Sequence, residues 1–526
     1  MMMRAKKLRI LVLVLIATML FGLVACGNNT TPANGDPISG TQRLVVAMPE
    51  NVVGFDPGNS KGNADNIVAM VQYEALVETD HTGNYSPCLA KEWESSEDGT
   101  EWTFYLRDDV TFSNGSKFDS NDVVVSYQRQ IDDRTLGCSA TFWAELASVE
   151  AIDEYTVKIS TNSPMASFLL SVSQTYIIDD EMYAEYGEEF GPKRIGVGTG
   201  PWVYEDWVDD GYALFSYNEN YWNKSEYDPY YDELMIRTIG EASSAIAAHL
   251  TGDISAYTVC GGISTDLLSM YNGSEDKIDI VSYKDGNYYI LGCNCAEGEI
   301  FNDVNLRKAV SLCINREDLA AVYGDAYPVN GIISTTCFGY NEDIPMWEYN
   351  PDEAAKLVAA SAYNGEEIEI STKIGLQKSE ELALLISESM NAIGFNTKVN
   401  MVESAVFSDI RSQGNYDMYL ANDMATGGDP SKYLSSKVIN DIHKHGLKND
   451  EVQRLASAII TTLDVEERYE LCTEFVELTN SLYAPHIMLF QTNANNAVNK
   501  GITGIEFYPD SYISYKYVDY DPSLVQ

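Results

Sequence analysis

The chain has 526 residues, of which 45% are hydrophobic and 21% are charged, so it has enough apolar content for sizeable cores and is not a disordered polyanion. Its 79 acidic and 34 basic side chains leave a formal charge of −45. That charge argues against a general nucleic-acid binder, because phosphate neutralisation requires clustered Lys and Arg. The length predicts either several domain-sized units or one large discontinuous fold.

The N-terminus contains the parts of a bacterial export signal. Residues 1–9 carry four basic side chains and no acid, and the apolar run at 11–24 is shorter than the roughly 20 residues of a membrane span. Leu23-Val24-Ala25-Cys26 is similar to a lipobox, in which the cysteine is acylated and becomes the new N-terminus. An incidental cysteine behind an ordinary signal peptide and an uncleaved anchor are the alternatives.

We therefore predict a signal peptide at 1–25 and a lipidated Cys26, followed by a flexible tether that completes the segment 26–40. The tether is rich in Asn, Thr, Pro and Gly. This prediction places the mature protein outside the cytoplasm, held at the bacterial cell membrane by acyl chains such as palmitate.

Hydrophobic periodicity then changes repeatedly between strand and helix. Period-two alternation and helical spacing predict, in chain order, a strand at 43–48, a strand at 102–107, a helix at 119–130 capped by Asp119 or Ser120, a strand at 367–371, a helix at 380–393 ending near Gly394, and a strand at 396–401. The last three elements form a βαβ-like unit. The pattern favours a mixed α/β or α+β fold with more than one lobe.

Polar residues between these elements have mainly structural interpretations. Asp303 is predicted to cap a helix that carries Arg307 and Lys308 on its solvated face and Cys313 on its buried face. The eight cysteines that follow Cys26 are scattered, so we expect no disulfide framework. We also expect no resident cofactor or metal.

A series of motifs resembles one known family. The chain is similar, from about residue 43 to its end, to the large solute-binding proteins of peptide-type ABC importers, the oligopeptide- and dipeptide-binding family. The matching motifs, which occur in the family's order, include Tyr73-Glu74-Ala75-Leu76-Val77-Glu78, Asp98-Gly99-Thr100-Glu101-Trp102-Thr103-Phe104, Gly198-Thr199-Gly200-Pro201, Phe301-Asn302-Asp303-Val304-Asn305-Leu306-Arg307 and Gly414-Asn415-Tyr416-Asp417.

The resemblance implies a two-lobed periplasmic-binding-protein-like fold of the large type, with a two-strand hinge crossing near 288–293 and 488–493. It implies a discontinuous lobe I at 41–80, 195–290 and 497–526, an inserted subdomain at 81–194 and a lobe II at 291–496. It also implies a monomer that binds no nucleic acid and delivers its ligand to membrane permease subunits, which work with cytoplasmic ATPase subunits.

The resemblance also implies where a ligand binds. One wall of the site would be the segment Asn51, Val52 and Val53, which pairs with a peptide backbone. The other would be Asn422, Asp423, Met424, Ala425, Thr426 and Asp429. Peptide binders place an aspartate where this chain has Thr426, and Asp423 and Asp429 lie three residues to either side of it.

Two further residues are candidates for ligand contact. Arg411 matches a basic residue that can meet a ligand carboxylate, although a surface helix residue would look the same. Trp143 is a candidate cleft aromatic, with core packing as the alternative. His443 and His445 are the one close histidine pair and lie in a Lys-rich segment that we expect to be exposed.

Peptides are the first-choice cargo, and an oligosaccharide or a nickel- or haem-type ligand is the alternative. An exported acidic hydrolase is a remote alternative. The sequence contains neither a His-Glu-x-x-His zinc motif nor a Gly-x-Ser-x-Gly elbow. We therefore expect a binding protein rather than an enzyme.

Overall fold

A computed structural model describes residues 42–525 except 61, 81–82, 137–142, 144, 192 and 194, with only the backbone described at 188 and 426. The predicted signal peptide, the lipidated Cys26 and the tether lie outside the described residues. The described α-helices are α1 (Asn63–Gln72), α2 (Ser120–Asp132), α3 (Phe168–Ser173), α4 (Asp180–Tyr186), α5 (Ala242–Thr251), α6 (Thr265–Leu268), α7 (Val304–Cys313), α8 (Arg316–Tyr323), α9 (Pro351–Ala360), α10 (Ser379–Ala392), α11 (Ser404–Gln413), α12 (Ser431–Tyr433), α13 (Asp450–Thr461) and α14 (Val465–Leu482). A π-helical turn, Leu434–Ile439, follows α12.

The strands, which group into one large and several small sheets, are β1 (Arg43–Met48), β2 (Val77–Thr79), β3 (Tyr85–Pro87), β4 (Ala90–Ser95), β5 (Glu101–Leu106), β6 (Leu146–Asp153), β7 (Thr156–Thr161), β8 (Trp202–Val208), β9 (Tyr212–Tyr217), β10 (Glu233–Thr238), β11 (Ala256–Tyr257), β12 (Ile278–Cys293), β13 (Ala326–Pro328), β14 (Glu367–Lys373), β15 (Asn396–Val402), β16 (Met418–Met424), β17 (His486–Asn499), β18 (Ile502–Thr503), β19 (Glu506–Phe507), β20 (Ile513–Ser514) and β21 (Asp519–Tyr520). This mixture of parallel and antiparallel strands with helices confirms the predicted mixed α/β class.

The large sheet is centred on two long antiparallel strands, β12 and β17. Its order is β15-β14-β16-β12-β17-β11-β1-β10-β9-β8, with β13 also paired to β17. Strands β14 and β15 are parallel, and α10 connects them, so the predicted βαβ unit is confirmed. Gly394 follows α10 with φ +105°, a conformation that glycine adopts readily at a helix C-terminus.

Pairing between β12 and β17 is interrupted near the middle of the sheet. Residues 278–284 of β12 pair with 493–499 of β17, and pairing resumes at Tyr288 opposite Gln491. On one side of this interruption β17 pairs with β11, and on the other side β12 pairs with β16. Residues 285–287 thus stand between the two halves of the sheet, just ahead of the crossing predicted at 288–293.

The hydrophobic cores follow the same division. Two clusters cover the faces of the β16 half of the sheet and draw their buried residues from 288–490. Two others cover the β1 half and draw theirs from 44–71, 202–278 and 497–518. A separate core, built from residues 76–177, packs around the small sheet β4-β5-β7-β6.

Local signals positioned several elements as predicted. Asp119 caps α2 and forms a reciprocal capping box with Asp122 at the third helical position, which satisfies backbone N–H groups at the start of the helix. Asp303 caps α7, and its carboxylate accepts from the backbone N–H of Asn305 at 2.8 Å. Cys313 is 2% exposed, as expected for a small core side chain.

The predicted solvated face of α7 is wrong for Arg307. The Arg307 side chain is buried, and its guanidinium donates to the backbone carbonyls of Leu482, Phe301 and Asn302 at 2.7 to 3.0 Å. A guanidinium carries five donors, so it can satisfy several unpaired carbonyls at the end of one helix and the start of another. Lys308 is half-buried.

Seven of the cysteines lie among the residues that the structure describes, and all seven are free thiols. Burial raises the pKa of the Cys313 thiol to about 12, so it is a weak nucleophile. Within the same described ranges, no helix combines the length and the apolar character that a membrane span needs.

Candidate functional site

A cleft of about 820 Å³ is lined by both halves of the large sheet and by the inserted segment between β2 and β8. This volume falls within the range of small-molecule binding sites. Its lining comes from residues within 79–85, 166–174, 283–284, 335–338, 427–429, 462–468 and 507–510. Since these segments are far apart in sequence, the cleft exists only in the folded chain.

A buried ion pair forms part of the cleft lining. The guanidinium of Arg468 on α14 holds both carboxylate oxygens of Asp429, with Nη1–Oδ2 at 2.8 Å and Nη2–Oδ1 at 2.9 Å. The two side chains are only 7% and 12% exposed. Burial by itself would raise the pKa of Asp429, but the charge and hydrogen bonds of Arg468 outweigh it and hold that pKa below its usual value. Asp429 is therefore an anion that is already neutralised within the protein.

Tyr85, in the inserted segment, lies close enough to this ion pair to be influenced by its charges. It stands at the start of β3 and lines the same cleft. Burial raises the pKa of its phenol, and the nearby Asp429 raises it further. Tyr85 therefore contributes a neutral hydroxyl to the cleft lining.

Two other charged residues of the cleft differ in their surroundings. Lys284, next to the interruption in β12, is exposed and makes no ion pair within the described part of the chain. Asp510 is 3% exposed, and its Oδ1 has no hydrogen-bond partner among the described groups. Burial raises the pKa of Asp510 to about 6. Lys284 is thus a cation of the cleft lining that forms no ion pair within the described chain, and its ammonium lies 5.6 Å from the centroid of the Tyr327 ring.

The floor of the cleft joins the C-terminal segment to the interruption in β12. The backbone N–H of Gly286 donates to the carbonyl of Pro509 at 2.6 Å, and the Ser511 hydroxyl donates to Asp285 Oδ1 at 2.6 Å. The N–H of Ala425 donates to the Gly286 carbonyl at 3.0 Å, which ties the end of β16 to the same point. A Cβ at Gly286 would lie 2.2 Å from the Pro509 carbonyl oxygen, so this approach requires glycine.

The segment predicted as the first wall does not line this cleft. Val52 is 2% exposed and packs in the core of the β1 half, whereas Val53 is 61% exposed. The Val53 N–H donates to Asp65 Oδ1 at 2.7 Å, and Asn51 Oδ1 accepts from the Asp210 N–H at 3.2 Å. The described backbone at 51–54 pairs with no strand. Ligand contact by these residues stays a prediction.

The second predicted wall lies at the end of β16. Asn422, Asp423 and Met424 are half-buried, and Asp423 forms a 2.9 Å ion pair with Lys437. Ala425 is 5% exposed. Of this wall, Asp429 lines the cleft, and the backbone of Thr426 begins the short turn that carries Gly427 and Gly428 into it. The role predicted for the Thr426 side chain lies outside what the structure describes.

Arg411 and Trp143 occupy other parts of the protein. The Arg411 guanidinium lies over the rings of Phe407 and Tyr419, with distances of 4.6 and 5.6 Å to the ring centroids, and it does not line the cleft. Trp143 is 0% exposed, and its indole N–H donates to Thr175 Oγ1 at 2.7 Å. The core-packing interpretation of Trp143 describes its position, because its ring is surrounded by other aromatic side chains.

The expectation that His443 and His445 are exposed is wrong. They are 8% and 1% exposed, and they meet His486 at the start of β17. Burial lowers the pKa of all three imidazoles, and the nearby charge of Lys437 lowers each of them further. The cluster was not predicted from the sequence, because His486 is distant in the chain and comes close to the other two histidines only when β17 pairs with β12.

Four residues that line the cleft were not named as candidates from the sequence: Tyr85, Lys284, Arg468 and Asp510. None of them lies in a local motif that signals a binding site.

Comparisons with known proteins define the class to which this architecture belongs. The family model for bacterial extracellular solute-binding proteins, family 5, matches residues 84–442. The heme-binding protein A of Haemophilus influenzae is 27% identical over 489 residues, covering 85% of this chain and 88% of the relative. The nickel-binding periplasmic protein of Escherichia coli is 26% identical over 440 residues, covering 79% and 81%.

Solved structures agree with this class. The periplasmic binding protein DppA of Helicobacter pylori, in complex with the peptide STSA, superposes with a TM-score of 0.72 and 25% identity, covering 91% of this chain and 98% of the other. The chain belongs to family 5 of the bacterial extracellular solute-binding proteins. It has their two-lobed fold, and proteins of this family bind solutes for ABC transporters outside the cytoplasm rather than catalysing reactions.

Proposed function

We propose that this protein is a lipid-anchored receptor that captures a short peptide in the cleft and delivers it to the permease of an ABC transporter. The observation that carries the proposal is the 820 Å³ cleft, whose lining includes residues of the inserted segment, both halves of the sheet and the C-terminal segment. A ligand held by all of these segments would stabilise the closed form over the open one, which shifts the population toward the form that the permease recognises.

The same geometry supports a proposed division into lobes. We propose that residues 285–287 of β12 and the facing part of β17 form the hinge, because strand pairing is interrupted there and the separate cores lie on either side. Lobe I would then comprise about 41–80, 195–290 and 497–526, with the inserted subdomain at 81–194 and lobe II at 291–496. The protein would act as a monomer.

The pairing of the two predicted aspartates, compared with that of Lys284, indicates which end of a peptide the cleft holds. Asp429 and Asp423 are each neutralised by a cation of the protein, so neither is free to take up a ligand's α-ammonium group without releasing its partner. Lys284 has no such partner in the described chain. We propose that Lys284 binds the carboxylate of the ligand through a charge-assisted hydrogen bond, while Tyr85 and the backbone of 427–428 contact its polar groups.

The cargo is tested by native mass spectrometry of the purified protein, followed by release and sequencing of bound small molecules. Short peptides are the expected result. A bound mass that matches haem, a nickel complex or an oligosaccharide would overturn the peptide assignment and leave the receptor role.

A pair of substitutions tests the site. Lys284→Gln is expected to weaken binding of the identified ligand about 10- to 100-fold, the effect of losing one hydrogen bond to a charged group. Lys277→Gln is the matched control, because Lys277 is an exposed lysine that does not line the cleft. Equal affinities for the two variants would contradict the proposed role of Lys284.

The lipid anchor is tested separately. We expect the protein to be found in the membrane fraction of cells, and a Cys26→Ala variant to be found in the soluble or uncleaved precursor fraction. Unchanged fractionation and unchanged mass of Cys26→Ala would refute lipidation at this residue and leave the ligand assignment unaffected.

A further inference from the structure

Three of the five histidines in this chain meet inside the β16 half of the sheet, around the hydroxyl of one tyrosine. Tyr419 Oη lies 2.8 Å from Nε2 of His445, 2.9 Å from Nε2 of His486 and 3.3 Å from Nδ1 of His443. The three ring nitrogens lie within 4.8 Å of one another. We call these four residues the histidine–tyrosine cluster.

We propose that the histidine–tyrosine cluster is a binding site for one divalent transition-metal ion of the zinc type. Three imidazole nitrogens and a phenolate oxygen form a four-coordinate set of the kind that such ions accept. The site lies apart from the cleft, since none of the four residues lines it. The proposal therefore does not depend on which ligand the receptor carries.

The other ring nitrogens support coordination by His445 and His486. His445 Nδ1 lies 3.0 Å from Asp441 Oδ1, and the Asp441 carboxylate also accepts the backbone N–H groups of His445 and Gly446. A carboxylate can only accept from the imidazole here, so Nδ1 carries the proton and Nε2 directs its lone pair into the cluster. Tyr433 Oη lies 2.7 Å from His486 Nδ1 and can accept its proton in the same way.

His443 is the exception, and Lys437 is the reason. Lys437 Nζ lies 3.5 Å from His443 Nε2, and an ammonium group only donates. His443 Nδ1 therefore carries the proton as long as Lys437 stays in place. Coordination by all three histidines requires Lys437 to turn away, toward Asp423, with which it already forms a 2.9 Å ion pair.

The charges of the other groups around the histidine–tyrosine cluster cancel in part. Asp441 faces His445, whereas Arg411 lies with its guanidinium 5.6 Å from the centroid of the Tyr419 ring. A metal ion with one phenolate would add one net positive charge, which Asp441 offsets and Arg411 opposes.

The geometry requires a small contraction on binding. Nitrogen ligands at about 2.0–2.1 Å from a tetrahedral zinc ion lie about 3.4 Å apart. Since the nitrogens are now up to 4.8 Å apart, side-chain rotations must close the set. His443 and His445 lie on the turn at 441–446. This turn holds Asp441 and Lys444 at φ +41° and +55°, so it directs the two imidazoles toward the cluster at a cost in backbone strain.

The test is metal binding by the purified protein in competition with a chromophoric chelator, with Zn²⁺ as the probe and Co²⁺ as its spectroscopic substitute. We expect one equivalent to be retained, with the visible spectrum of four-coordinate Co²⁺. His445→Ala and His486→Ala should each weaken binding at least about 100-fold, and Asp441→Asn should weaken it about 10- to 100-fold. Lys437→Gln should tighten it, because an amide oxygen can accept the proton of His443 Nε2.

The matched control is His249→Ala, because His249 is equally buried, at 2% exposed, but bonds to Tyr271 and Asn499 in the other half of the sheet. Its metal binding should equal that of the parent protein. Failure of the parent to retain either ion would overturn the proposal, as would retention that is unchanged in His445→Ala and His486→Ala. If those variants do not fold, Asp441→Asn and Lys437→Gln decide the question, since their expected effects have opposite signs.

Discussion

The ion pair between Asp429 and Arg468 offers the sharpest test of how the cleft is held together. Asp429→Asn keeps the size of the side chain and one acceptor oxygen but removes the negative charge. The Arg468 guanidinium, 7% exposed, then keeps its charge with no anion to receive its two bonds of 2.8 and 2.9 Å. Its remaining partners are neutral: the Ile459 carbonyl and the Ser431 hydroxyl.

The expected size of the effect follows from the burial of this pair. Removing one partner of a buried ion pair costs roughly 3–5 kcal/mol, because the other charge is left uncompensated. The cleft admits water beside the pair, so we expect the lower end, about 3 kcal/mol. A chain of 526 residues has an unfolding entropy of roughly 1 kcal/mol/K, so the melting temperature should fall by about 3 °C.

The pair of Asp423 and Lys437 provides the comparison. Its side chains are more exposed, at 24% and 13%, so Asp423→Asn should cost about 1 kcal/mol and lower the melting temperature by about 1 °C. Differential scanning calorimetry of the parent, the two variants and the double variant Asp429→Asn/Arg468→Gln provides the data. The double variant should be more stable than Asp429→Asn, because it removes the uncompensated charge.

The pH dependence gives an independent check. Arg468 holds the pKa of Asp429 below its usual value despite burial, so this carboxylate contributes stability above the ordinary pKa of 3.8 and loses that contribution as the pH falls below it. The difference between the parent and Asp429→Asn should therefore shrink in acid. Equal effects of Asp429→Asn and Asp423→Asn, or a difference that persists unchanged at low pH, would refute this account of the pair.

Three further predictions concern other parts of the molecule. Burial raises the pKa of Asp510 from 3.8 to about 6, so the folded state binds this proton more tightly, and stability should fall by about 3 kcal/mol as the pH rises from about 3 to 7. Asp510→Asn should remove that part of the pH profile of stability, and an unchanged profile would contradict the assignment. Gly286→Ala places a Cβ 2.2 Å from the Pro509 carbonyl oxygen, so it should lower the free energy of unfolding, measured by chemical denaturation, by about 2 kcal/mol or more. Gly273→Ala is the control: its Cβ would meet nothing within 4 Å, but the backbone there has φ +89°, so it should cost about 1 kcal/mol. Trp143→Phe removes a buried indole and its hydrogen bond to Thr175, so the melting temperature should fall by about 2 °C while the affinity for the ligand stays unchanged. A loss of affinity without a loss of stability would instead support the predicted role of Trp143 in ligand binding.

Elements with strong local signals were predictable from the sequence. The helix that begins at Asp119 or Ser120 and the alternating strands around α10 were predicted from residues a few positions apart, because capping and periodicity are local properties. The fold class also followed, because motifs spread along the whole chain resemble one family, and the family model matches 84–442.

The candidate site was harder to predict. Asp429 was named in advance and lines the cleft, but its partner Arg468 is 39 residues away on α14, and no motif connects them. Arg307 was assigned to a solvated face because charged residues usually lie there, whereas the carbonyls that bury it belong to other elements. In both cases the charge of a residue was evident and its partner was not.

The sequence by itself therefore determined the mixed fold, the family and the main helix caps, because these depend on spacing, periodicity and local hydrogen bonds. Only the tertiary structure decided which charges are neutralised and which remain free, since Asp423, Asp429 and Lys284 look alike as solvated charges until their neighbours are in place. It alone brought His486 to His443 and His445. Tyr419 on β16 and His486 on β17 both pair with Gly292 of β12, and the turn at 441–446 places the other two imidazoles against the Tyr419 hydroxyl.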